Sequence, residues 1–167
     1  MPNKQALGKQ ISRIRNKNMP PAPRLLEDIN VPIELRKTIN GEEEFLARDI
    51  ELDGEKIMIF CALSNLEHLQ NAEYWIMDGT FKTVPVLFQQ MYTIHAPVGG
   101  ESNARVLPMV YVLMTGKSEE CYTLLFQELI SLDKEADVIL NPSLVLTDFK
   151  QAVINAAQNE FSDSVHK

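Results

Sequence analysis

The sequence contains no long apolar run. Its longest strongly apolar stretch, residues 106–114, covers nine residues and contains Pro108, whereas a membrane-spanning helix needs about 20. The first ten residues contain no apolar run typical of a signal peptide. These two absences predict an intracellular protein, nuclear or cytoplasmic and not secreted, with no membrane partner.

Glycine and cysteine are also scarce, and neither forms a recognisable cofactor motif. No glycine-rich loop precedes a predicted helix, so the phosphate-binding loops of nucleotide cofactors are absent and we predict no small-molecule cofactor. The two cysteines, Cys61 and Cys121, lie far apart and lack the spacing of zinc ligands or of a disulfide framework. We therefore expect both cysteines to be small apolar residues of the core.

Basic residues are the scarcer charge, and they cluster at the N-terminus. The 167 residues contain 16 Lys and Arg against 23 Asp and Glu, for a net charge of −7. Residues 1–37 contain eight basic and three acidic side chains, a net charge of +5, and the remainder carries −12. Residues 1–24 also contain Pro20, Pro21 and Pro23, which indicates a flexible basic arm able to contact phosphates. A solvated N-terminus without a partner is the alternative, and the charge alone favours it.

Residues 25–72 are interpreted as an appendage made of a β-hairpin and a short helix. Asp53 and Gly54 form a dipeptide that favours a tight turn between two strands. Ser64 and Glu67 have the spacing of a helix capping box. The predicted elements are strands at 45–52 and 56–61 and a helix at 65–72.

Residues 73–167 are interpreted as the main folding unit. Three apolar runs with short connections predict an antiparallel meander, and Pro108 in the third run indicates a bulge or an edge position. The spacing of apolar residues then becomes helical after Ser118, and a strand and a second helix follow. The sequence therefore predicts an α/β fold with a mixed sheet. The predicted strands are 74–77, 87–97, 105–115, 144–147 and one beginning at Ser164, with helices beginning near Ser118 and Phe149.

Two of the predicted strands end in an aspartate. Asp78 follows residues 74–77, and Asp148 follows residues 144–147. If these strands lie side by side and parallel, both carboxylates meet at the carboxyl end of the sheet, at a topological switch point. Paired carboxylates repel unless a cation intervenes, so we expect a separation of roughly 4–8 Å, within reach of one Mg²⁺ ion.

Both aspartates also have structural interpretations. Asp78 and Gly79 can form a turn and nothing more, and Asp148 with Gln151 can cap a helix. Spacing alone favours these structural roles. A small doubly wound binding domain with two capping aspartates then fits the same pattern.

Five blocks of the sequence carry a resemblance to a known family: 78–82 (DGTFK), 88–95 (FQQMYTIH), 107–114 (LPMVYVLM), 117–122 (KSEECY) and 147–152 (TDFKQA). In this order they resemble the MULE (Mutator-like element) transposase domain. Residues 45–75, with the prolines of the arm, resemble animal members of that family that are linked to FLYWCH zinc fingers. The resemblance covers about residues 20–167, and the order of the blocks makes it specific.

The resemblance implies an RNase H-like fold and a DDE/D site for metal-dependent cleavage and joining of DNA. Asp78 matches the first acid of that site and Asp148 the second. Both are thereby implied as catalytic residues and as ligands of Mg²⁺ or Mn²⁺. DNA is the implied partner, in DNA transposition and recombination, and a homo-oligomer is left open.

The resemblance further implies a truncated, RNase H-like core that is incomplete at its C-terminus. In the family the third acid lies beyond the strand that begins here at Ser164, whereas Glu160 and Asp163 precede that strand. The FLYWCH finger is also absent. We therefore expect weak metal binding and no DNA cleavage, and whether the chain is an enzyme is left open. The alternative is a domesticated, non-catalytic nucleic-acid-binding or protein-interaction module.

Overall fold

The computed structural model of the chain describes residues 4–16, 23–100, 103–162 and 164–166. The strands are β1 (Leu46–Leu52), β2 (Glu55–Phe60), β3 (Tyr74–Thr80), β4 (Gln90–Val98), β5 (Arg105–Met114), β6 (Leu144–Leu146) and β7 (Val165–His166). The helices are α1 (Lys4–Asn16), α2 (Leu63–Gln70), α3 (Glu119–Ala136) and α4 (Gln151–Glu160), with short 3-10 helices at Leu26–Asp28 and Ile33–Leu35. Within the described residues the strands form one mixed sheet in the order β1-β2-β5-β4-β3-β6-β7, which confirms the α/β class. None of the described helices combines the length and apolar character that a membrane span requires.

The predicted hairpin is confirmed. β1 and β2 pair antiparallel, with Leu52 opposite Glu55 at the closed end. The two residues of the turn both have positive φ, 52° for Asp53 and 81° for Gly54. That combination gives a turn whose twist matches the twist of the flanking strands, and Asp-Gly adopts it at low cost.

The N-terminus of α2 differs from the prediction, and the capping box of Ser64 and Glu67 is wrong. The side chain of Asn65 instead accepts a hydrogen bond from the backbone nitrogen of Ala62, at 3.0 Å. Glu43 accepts two more, from the backbone nitrogen and the hydroxyl of Ser64, each at 2.9 Å. A carboxylate at a helix N-terminus also interacts favourably with the helix dipole. Because Glu43 lies 21 residues before Ser64, local spacing does not reveal this cap.

The three-stranded meander and its bulge are confirmed. β3, β4 and β5 pair antiparallel in succession. Ile94 lies opposite Val110 but His95 lies opposite Pro108, so Met109 is the extra residue of a bulge. β2 pairs with β5 only from Tyr111 onward. Pro108 therefore has no ladder partner on that side that would need its missing backbone N–H.

The helices after the meander return the chain to the other side of β3. β6 lies beside β3 and parallel to it, and β7 lies parallel to β6. α3 and α4 pack on the sheet face that carries Trp75 and Tyr92. The ring centroids of Tyr92 and Tyr122 are 5.2 Å apart, and those of Trp75 and Phe161 are 5.4 Å apart. Trp75, Tyr92 and Tyr122 are fully buried. Burial of a large side chain of this kind contributes about 1.5–3 kcal/mol to the stability of the folded state.

The basic arm contains a helix that the sequence analysis does not predict. α1 spans Lys4–Asn16, and its apolar side chains Leu7, Ile11 and Ile14 are exposed. These three apolar residues have helical spacing, but the spacing alone did not lead us to predict a helix in the arm. Pro20 and Pro21, which indicated an extended spacer, lie outside the described residues.

Candidate functional site

The two predicted aspartates lie at the carboxyl ends of adjacent parallel strands. β3 and β6 pair in parallel, and Ile76 opposite Leu146 is the last paired position. Asp78 and Asp148 each follow two residues later. Parallel strands have their carboxyl ends at one edge of the sheet, so the fold brings both residues to the same edge. The predicted strand neighbourhood is thus confirmed, and the carboxylate separation of roughly 4–8 Å stays a prediction.

Neither aspartate has the structural role that spacing alone favours. Asp78 lies inside β3 and not in a turn, and its Oδ1 accepts a hydrogen bond from the backbone nitrogen of Gly79 at 2.8 Å. The residue that precedes the first turn of α4 is Lys150, and no side chain caps that helix. Gln151 donates to Asn155 instead of reaching back to Asp148. The turn and capping interpretations are therefore wrong, which leaves both carboxylates without a structural explanation of that kind.

Asp148 has one carboxylate oxygen with a cation and one with no partner. Its Oδ2 lies 2.9 Å from Nζ of Lys150, although the angle is not that of a hydrogen bond. Its Oδ1 is buried and has no hydrogen-bond partner among the described residues. A desolvated carboxylate oxygen without a donor is costly, so this atom is available to a cation or to water.

Lys150 is a residue of the site that sequence reasoning missed. Its Nζ is buried and lies 4.4 Å from the centroid of the Phe81 ring, within cation–π distance. The side chain as a whole is a third exposed. The sequence shows only that Lys150 lies two residues after Asp148, at the start of a predicted helix. That position does not reveal that its ammonium lies beside Asp148.

A buried polar network forms the floor of the site. A β-carbon on Gly79 would lie 3.2 Å from Oε1 of Gln90 and 3.4 Å from Nζ of Lys150, so glycine is what allows these groups to approach β3. Gln90 is fully buried. Its Oε1 accepts a hydrogen bond from the Tyr122 hydroxyl at 3.1 Å, and its Nε2 donates to the Gly116 carbonyl at 3.2 Å. The network joins the start of β4 to the first turns of α3.

The Tyr92 hydroxyl lies beside Thr147, at this edge of the sheet. Burial raises the pKa of Tyr92, and a weak hydrogen bond with the Thr147 hydroxyl at 3.4 Å opposes this. The neighbouring Tyr122 and, to a smaller extent, the negative charges of Asp148 and Asp78 raise the pKa further. Tyr92 therefore stays neutral and can serve this edge of the sheet only as a hydrogen-bonding group.

Oδ1 of Asp148 has the chemistry of a ligand for a divalent cation. Carboxylate oxygens are the ligands that Mg²⁺ prefers, with water completing its octahedron, and Oδ1 of Asp148 is free to serve as one. Within the part of the chain that the structure describes, no group of three or more His, Cys, Asp or Glu side chains is placed to hold a metal ion. Glu160 instead accepts a hydrogen bond from Gln127, at 3.0 Å, and Asp163 lies outside the described residues.

Both cysteines are buried and unpaired, as predicted for small core residues. Burial, with a smaller contribution from the charge of Glu43, raises the pKa of Cys61 from 9.0 to about 12. Such a thiol is a poor nucleophile and a poor metal ligand at neutral pH.

The sequence model of the MULE transposase domain matches residues 74–167, more than half of the chain. The match begins with the first residue of β3 and includes every residue of the site described above, whereas β1, β2 and α2 lie outside it. Neither the curated proteins nor the solved structures contain a match to this chain.

Proposed function

This chain belongs to the MULE transposase domain family, and on that premise we propose that it is a transposase-derived domain of the RNase H-like, DDE/D type. Its ancestral reaction is the metal-dependent cleavage and joining of DNA. The strand order supports this proposal: the meander β3-β4-β5 is followed by a helix, a parallel strand, a helix and another parallel strand.

One observation carries the proposal. Asp78 lies near the carboxyl end of β3 and Asp148 just after the neighbouring parallel strand β6, and Oδ1 of Asp148 is desolvated without a donor among the described residues. Asp78 and Asp148 would together hold Mg²⁺ or Mn²⁺. When bound, the ion supplies Lewis-acid activation of a phosphodiester and of the attacking oxygen.

The remaining groups of the site position these carboxylates. Gly79 keeps the backbone after Asp78 free of a side chain, so that the neighbouring polar groups can approach. Gln90 and Tyr122 hold β4 and α3 together beneath the site through their hydrogen bonds. The neutral Tyr92 hydroxyl contributes no charge, so both aspartates keep their affinity for a cation.

A second candidate function is a non-catalytic nucleic-acid-binding or interaction module. It is favoured by the absence of a third metal-binding side chain among the described residues, since two-metal phosphoryl transfer usually needs one. The net charge of −12 beyond residue 37 also repels DNA, which carries one charge per about 1.7 Å. The basic arm is the one part of the sequence with the charge to offset this.

A plasmid-nicking and strand-transfer assay with Mn²⁺ separates the two functions. We expect no cleavage by the 167-residue polypeptide and weak, salt-sensitive DNA binding that is lost when residues 1–24 are removed. Cleavage that disappears in Asp78→Ala and in Asp148→Ala would establish the catalytic function in this chain. DNA binding that is unaffected by removal of the arm would contradict the interaction proposed for it.

A further inference from the structure

The ammonium of Lys150 contacts Asp148, one of the two aspartates that would hold the metal. It is 2.9 Å from Oδ2 of Asp148 and 3.4 Å from the position of a β-carbon on Gly79, the residue that follows Asp78. The face of the Phe81 ring closes another side. The ammonium is therefore in contact with one aspartate and next to the backbone that carries the other.

Lys150 is held in this position by few interactions. An ammonium has three donors, yet Nζ of Lys150 is buried and makes no hydrogen bond of good geometry within the described residues. The ammonium is held only by the ion pair with Asp148 and the cation–π contact with Phe81, among the described residues. The side chain of Lys150 as a whole is a third exposed, and a flexible four-carbon stem allows the head group to reach water. The ammonium can thus leave without any movement of the backbone.

Resting on the metal site proposed above, we propose that Lys150 is an internal cation that competes with the divalent metal for Asp148. A divalent ion and an ammonium that share one carboxylate repel each other strongly at this range. Metal binding therefore requires Lys150 to leave Asp148. In the metal-free protein, the same lysine neutralises one of the two aspartates and lowers their mutual repulsion.

The test compares Mn²⁺ affinity in the full chain and in matched variants by isothermal calorimetry. Lys150→Met is expected to bind Mn²⁺ at least about tenfold more tightly than the original protein, an effect of about 1.4 kcal/mol. Lys82→Met removes the same charge from an exposed lysine next to Phe81 and is expected to change the affinity much less. Asp148→Ala, made in the Lys150→Met background, is expected to abolish the gain.

The outcomes distinguish this inference from the proposed function. Equal affinities of the original protein and Lys150→Met would overturn the competition but leave the metal site intact. Equal gains in Lys150→Met and Lys82→Met would overturn it as well, since they would reveal only a general charge effect. An absence of Mn²⁺ binding in every protein, Lys150→Met included, would overturn the metal site itself.

A second measurement needs no variant at position 150. Amine-reactive labelling followed by mass spectrometry is expected to modify Lys150 several-fold more slowly than the exposed Lys82 in metal-free protein. Saturating Mn²⁺ is expected to raise the labelling of Lys150 and to leave Lys82 unchanged. Labelling of Lys150 that does not respond to Mn²⁺ in protein that binds the ion would refute the displacement.

Discussion

Tyr122→Phe is expected to destabilise the protein by about 1–3 kcal/mol, the cost of a buried polar atom left without its partner. The atom is Oε1 of Gln90, a fully buried side chain that accepts a hydrogen bond from the Tyr122 hydroxyl at 3.1 Å. Gln90→Met is expected to cost a similar amount, because it leaves both the Tyr122 hydroxyl and the Gly116 carbonyl without this partner.

A double-mutant cycle measured by urea unfolding tests this reasoning. The variant with both substitutions is expected to lose less free energy of unfolding than the two single variants together, with a coupling of about 0.5–3 kcal/mol. Tyr111→Phe is a matched control, since Tyr111 is partly exposed, and it should cost less than about 0.5 kcal/mol. Additive losses from Tyr122→Phe and Gln90→Met would show that the two side chains do not depend on each other.

Three further predictions concern other parts of the fold. Gly54→Ala, at φ 81°, should cost about 1–2 kcal/mol in thermal or urea unfolding, whereas Gly100→Ala, with open space around its backbone, should cost little; equal losses would contradict the turn geometry. Burial raises the pKa of Cys61 from 9.0 to about 12 in the folded protein, so above pH 9 the thiol loses its proton more readily in the unfolded chain. The contribution of Cys61 to the free energy of unfolding is therefore complete below pH 9. It is lost as the pH rises toward 12, by about 1.4 kcal/mol per pH unit. Cys61→Ala should therefore flatten the alkaline fall of the free energy of unfolding, and an unchanged slope would refute that assignment. The amides of α1 should exchange with opening free energies near zero, and strong protection would reveal a docked helix.

The sequence was most informative where chemistry is local. Asp53 and Gly54 specify their turn by themselves, because only a few dipeptides adopt two successive positive φ angles. Pro108 likewise reveals the bulge of β5, since its missing N–H limits where it can lie. The order of elements left β6 beside β3 or beside β5, and the family resemblance supported the position beside β3, so the edge that carries Asp78 and Asp148 could be predicted only with that resemblance.

The rest depends on contacts between distant residues. The cap of α2 comes from Glu43, outside the local window in which a capping box is sought. The burial of Gln90 and the position of the Lys150 ammonium arise only when β4, α3 and the start of α4 meet beside Gly79. No rule of sequence spacing predicts such long-range contacts, so the sequence predicted the two aspartates and missed the lysine beside Asp148.

Joint binding of a divalent metal by Asp78 and Asp148 is tested most directly by anomalous diffraction from crystals grown with Mn²⁺. We expect one anomalous peak at the carboxyl end of β3 and β6, with a carboxylate oxygen of each aspartate at about 2.0–2.2 Å. We also expect this peak to be absent in crystals of Asp148→Ala. A peak that contacts only one aspartate, or a separation of the two carboxylates well beyond about 8 Å in crystals grown with Mn²⁺, would contradict a shared metal site.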